Sequence, residues 1–60
     1  MTNKEVARLG RLDGIWDRVT DTTWAKDRRM LRRRWMVLSE IKKRIWEFAY
    51  QDAVNRLPVG

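Results

Sequence analysis

The chain reads as an all-α helical hairpin, with a short first helix at about residues 3–20 and a long second helix at about 23–56, completed by oligomerisation or docking as a coiled-coil-like bundle. Three observations predict this. No glycine or proline falls between Gly14 and Pro58. Within that stretch Trp24, Trp35 and Trp46 recur every 11 residues, close to three full helical turns, which sets their indoles on one stripe with Leu57 one interval further on. Ahead of it, Val6, Leu9, Leu12, Trp16 and Val19 follow one another at the spacing of a helix face.

The first helix opens on Thr2-Asn3-Lys4-Glu5, a capping box in which Thr2 caps the N-terminus and Glu5 reaches back to it. Gly10 and Gly14 fall on the face opposite the apolar stripe, and each costs about 1 kcal/mol relative to alanine in a helix interior. Asp13-Gly14 is also a turn signal, so a break near residue 13 is the alternative to one continuous helix.

Thr20-Asp21-Thr22-Thr23 gathers side chains that hydrogen-bond nearby backbone, which favours a turn followed by an N-cap at residue 22 or 23. Asp27 then lies in or near the first turn of the second helix, where a carboxylate suits the positive end of the dipole. Pro58 ends that helix, because it disfavours the α conformation at Leu57 and has no N–H to donate. The competing arrangement breaks near Ser39-Glu40, with Ser39 capping a third helix, and packs three short helices as a monomer.

Two helices of such different length, roughly 25 Å and roughly 50 Å, cannot cover each other. Folded back, the first would reach only half of the second and leave Ile41, Ile45, Trp46, Phe48, Ala49, Tyr50, Ala53, Val54 and Leu57 in water. Such a patch marks an interaction site. The expected partner interface is therefore Leu38, Ile41, Ile45, Trp46, Phe48 and Tyr50, while Leu9, Leu12, Trp16, Trp24, Leu31 and Trp35 hold the hairpin. Leu38, Ile41, Ile45 and Phe48 have the spacing of a coiled-coil seam, and an antiparallel self-pairing centred on Lys43 would set Arg34 against Asp52 of the other chain.

Sixty residues make a single small helical domain over 1–60, a size at which a monomer needs a disulfide, a metal or a partner to gain a margin of stability. The chain has no cysteine and no histidine, which removes disulfides, thiolate metal sites, the usual zinc ligands and the usual general base. No cofactor and no catalytic residue are expected, and the protein is read as a non-enzyme. Asp13, Asp17 and Asp21 recur every four residues and suggest a hard-cation edge, but without the glycine and distal glutamate of a calcium loop they read as a solvated or ion-paired row. The longest apolar run, Trp35-Met36-Val37-Leu38, is too short to span a bilayer. Acidic and basic residues balance near the N-terminus, unlike a targeting segment, so residue 1 reads as the start of the functional chain, and the lack of cysteine hints at an intracellular protein.

The net charge of +6 is concentrated in the middle of the chain, where residues 24–44 hold nine basic and two acidic side chains. Arg28, Arg29, Arg32, Arg33, Arg34, Lys43 and Arg44 are the candidate phosphate contacts for RNA or DNA, since forked guanidinium donors suit phosphate and several together give salt-sensitive affinity. Glu40 and Glu47 on the same face argue for an ordinary solvated surface instead. The tryptophan stripe could stack bases, but its setting among leucine and isoleucine favours packing. The acidic residues also weaken a membrane-surface reading. The sequence thus points to a non-catalytic interaction or structural subunit that self-associates or docks into a larger assembly through an apolar helix face. The alternative is a small basic nucleic-acid-binding protein.

Overall fold

The computed structural model describes residues 1–28 and 33–57, and of Arg33 and Arg34 only the backbone. These residues form α1 (Asn3–Thr20), α2 (Trp24–Arg28), α3 (Arg33–Met36) and α4 (Glu40–Arg56). The all-helical class and the first helix are as the sequence predicts. The Thr2 hydroxyl accepts from the Glu5 N–H at 3.2 Å, and the Glu5 carboxylate accepts from the Thr2 N–H at 3.0 Å. The bond from the Thr2 backbone, followed by that from its hydroxyl, holds the Glu5 carboxyl below the ordinary glutamate range. At the other end Asp21 takes the left-handed conformation, φ 54°, and its N–H caps the carbonyls of Asp17 and Arg18. Aspartate is one of the few residues besides glycine that tolerates this position.

The long second helix is not one helix. It is interrupted by a turn at residues 37–39, where the Leu38 N–H bonds the Trp35 carbonyl at 3.1 Å and Ser39, in an extended conformation, accepts the Lys42 N–H at 3.3 Å. The break near Ser39 needs no glycine or proline, because Ser39 supplies a local cap. It also resolves the mismatch of lengths: α1 has 18 residues and α4 has 17, so each covers the other from end to end. α4 ends at Arg56, with Leu57 extended ahead of Pro58 as expected.

The two long helices pack side by side, as in a hairpin, but run in the same direction. Gly10 lies against Trp46 and Ala49, and Gly14 lies one turn further along against Tyr50 and Ala53. Asp13 meets Trp46 and Asp17 meets Tyr50, both across 33 residues of chain. An antiparallel pair would reverse this order. α2 and α3 lie along the flank of the pair: Ala25 of α2 is buried beside Asp17 near the end of α1, and Trp35 of α3 joins Val6 and Trp46 near its start.

α1 meets α4 through two copies of a four-residue unit, Gly10-Arg11-Leu12-Asp13 and Gly14-Ile15-Trp16-Asp17. In each, the glycine gives the α4 backbone room to approach and the aspartate bonds the polar tip of an aromatic ring. α4 answers with its own pair of units, Trp46 to Ala49 and Tyr50 to Ala53. The glycines thus lie on the inner face of α1 and not on the outer one. By the same rotation Leu12 and Trp16, expected to hold the hairpin, are exposed, as is Val19 of the same stripe, while Leu9 is half-buried and Val6 fully buried. Trp24 is also exposed, Trp35 is in the core, and Leu31 lies outside the described residues.

Candidate protein interface

The polar centre of the molecule is spoken for by the fold. Asp17 is buried, and its carboxylate accepts the Ala25 N–H at 3.0 and 3.1 Å, the Tyr50 hydroxyl at 2.9 Å and, more weakly, the Lys26 N–H at 3.4 Å. Ala25 and Lys26 are at the start of α2, so Asp17 caps that helix from seven or more residues upstream, a task the sequence assigns to the local threonines. Trp46 stacks on Tyr50 with ring centroids 5.2 Å apart, and its Nε1–H donates to Asp13 at 3.1 Å. Among the described residues no group of three or more carboxylates, histidines or cysteines is placed to hold a metal ion; Asp13, Asp17 and Asp21 bond an indole, cap a helix and close a helix in turn.

Burial first, and the bond to the Asp17 carboxylate second, push the Tyr50 hydroxyl well above the ordinary tyrosine range. The folded protein thus holds this proton more tightly than the unfolded chain, whose tyrosine ionises near pH ~10. The resulting stability is complete below that pH and is lost at about 1.4 kcal/mol per unit as pH rises above it. Tyr50 is the single tyrosine, so phenolate absorbance tracks it alone. That absorbance is expected to appear together with loss of helical circular dichroism, and a Tyr50→Phe variant should lose this part of the alkaline slope.

The apolar residues left outside form two surfaces. On α1, Leu12, Ile15, Trp16 and Val19 follow the helical 3-1-3 spacing, and Trp16 and Val19 are 59% and 73% exposed. Trp16 continues into a shallow hollow closed by Thr20, Thr22 and Trp24. On α4, Ile41 and Phe48 are 68% and 77% exposed and, with Ile45, Ala49, Arg44 and Asp52, line an open groove whose other wall is Ala7 and Arg11 of α1. α2 and α3 fill the opposite flank of the pair, where Lys43 stands 4.7 Å from the Trp35 ring centroid.

Of the six residues expected at a partner interface, Ile41, Ile45 and Phe48 line this groove. Leu38 is half-buried against the core, and Trp46 and Tyr50 are inside it. Ala7 and Arg11 of α1 belong to the groove and lie outside the seam pattern, whereas Ala49 and Asp52 of α4 are residues the sequence already sets on the uncovered side of the long helix. The signal for the α1 wall was the pairing of small residues four apart on both helices, which marks close backbone approach and fixes which way each helix faces.

Of the candidate phosphate contacts, Arg28 belongs to α2, and Lys43 and Arg44 belong to α4 beyond the turn at 37–39. Arg28 lies over the exposed Trp24 ring at 4.2 Å; Lys43 is half-buried, 3.6 Å from Glu40 and over Trp35; Arg44 is exposed at the groove. Arg29 and Arg32 lie outside the described residues, as do the side chains of Arg33 and Arg34. The tryptophan stripe is likewise divided: Trp35 and Trp46 meet in one core from different helices, and Trp24 stays at the surface. Among the described residues, no helix is long and apolar enough to cross a membrane. No protein-family model, characterised protein or solved structure matches the chain.

Proposed function

We propose that this chain is a non-catalytic assembly protein that works by presenting apolar helix faces to protein partners. The observation that carries the reading is the outward orientation of bulky residues on both long helices. Glycine, alanine, two carboxylates and the Trp46 and Tyr50 rings they bond occupy the contact between α1 and α4, while Leu12, Trp16 and Val19 of α1 and Ile41 and Phe48 of α4 face solvent. Contiguous apolar surface of this kind costs solubility unless it is covered. A domain of this size also gains most of its missing stability from a partner.

Light scattering at two protein concentrations, at low and high salt, tests the proposal. A salt-resistant oligomer free of nucleic acid is the expected result, and Ile41→Asp with Phe48→Asp should return it to a monomer of unchanged helicity, since both side chains are exposed. A second reading, single-stranded nucleic-acid binding, is favoured by the Arg28 guanidinium stacked on the exposed Trp24 indole. A monomer that carries nucleic acid at low salt and sheds it at high salt would replace the first reading with the second.

A further inference from the structure

The groove between α1 and α4 is the better defined of the two apolar surfaces, because its charges are ordered along its length. Arg44 and Arg11 stand in its first half and middle, and Asp52 stands at the end nearer the C-terminus of α4. A parallel copy of α4 laid along it would bring Arg44 against Arg44. An antiparallel copy brings opposite signs together and also opposes the helix dipoles.

We infer that a second copy of this chain fills the groove, its α4 antiparallel to the first about a two-fold axis near Phe48, with Arg44 of each copy facing Asp52 of the other. This rests on the assembly reading and deepens it by naming the partner and the register. The axis cannot lie at Lys43, which is turned toward Trp35 on the other flank. With Phe48 at the axis, the two phenyl rings cover each other and Ile45 flanks them on both sides. The interface is isologous and closes as a dimer, so each Arg44–Asp52 pair occurs twice. Asp52 already receives the Arg56 Nε at 3.0 Å, but in an exposed pair four residues apart, and the carboxylate has lone pairs left for a second guanidinium.

The experiment is sedimentation equilibrium of the wild type, Arg44→Asp, Asp52→Arg and an equimolar mixture of the two variants. Each variant sets like charges opposite each other in its own dimer, and its dimer affinity should fall at least tenfold. In the mixture every pair is again of opposite sign, so dimers should reform with both variants present. Variants as dimeric as the wild type, or a mixture no better than its components, would overturn the register while a dimeric wild type left the assembly reading standing. A wild type that stays monomeric at every concentration would remove both. The chain has no cysteine, which permits a check that does not depend on charge: Phe48→Cys should cross-link to itself on oxidation, and Val19→Cys, on the outer face of α1, should not. The reverse pattern would assign the dimer to α1 and overturn the inference.

Discussion

Replacing Asp17 by alanine should leave most of the chain unfolded at room temperature. A domain of 60 residues has on the order of 3–9 kcal/mol of stability. The substitution removes the acceptor for the Ala25 N–H and the Tyr50 hydroxyl together, and each buried donor left without a partner costs about 1–3 kcal/mol. It also detaches the start of α2 from the end of α1, so the returning segment loses its anchor. Asp17→Asn keeps one acceptor oxygen and should cost less, about half as much. Urea titration followed by circular dichroism measures both. Equal, small losses for the two variants would show that the carboxylate is not what holds α2.

Gly14→Ala should destabilise the fold by about 2–3 kcal/mol, against the sign of helix propensity. Propensity alone favours alanine by about 1 kcal/mol. A Cβ at Gly14, however, would sit 2.5 Å from the Tyr50 carbonyl oxygen and 3.0 Å from the Ala53 Cβ, and a backbone carbonyl within a helix cannot swing aside. The same collision, with the Trp46 carbonyl, awaits Gly10→Ala. Were the glycines on the solvent face, both substitutions would raise the urea midpoint, so the direction of the shift decides which face of α1 is inside.

That question of facing is where sequence reasoning and structure part. The ends of α1 were legible because they rest on local chemistry, Thr2 with Glu5 at one end and the threonine-rich turn at the other. The end of α4 at Arg56, just ahead of Pro58 in the sequence, was legible for the same reason. The stripe of Leu12, Trp16 and Val19 was correctly read as one helix face, but hydrophobicity says only that a face wants cover, not whether the cover lies within the chain or beyond it. Here the inner face is defined by shape, through Gly10 and Gly14, and by polarity, through Asp13 and Asp17. None of these four residues scores as core. The even spacing of Trp24, Trp35 and Trp46 suggested a single stripe, whereas the local preference of Ser39 for an N-cap, with the burial that follows when α4 lies along α1, outweighs it. In the groove, Ile41, Ile45 and Phe48 were legible as a seam; its α1 wall was not, since that depends on the direction in which the helices run.

The parallel order of α1 and α4 has a consequence for how the chain comes to fold. Had the long helices formed an antiparallel hairpin, contacts would have begun beside the turn and zipped outward, each closing only a short loop. Instead the ties between Asp13 and Trp46 and between Asp17 and Tyr50 both span 33 residues, more than half of the chain. Loop closure must precede any reward from packing, so this protein should fold more slowly than an antiparallel helical hairpin of the same length. During synthesis α1 emerges well before α4 and until then has only the short helices α2 and α3 to pack against.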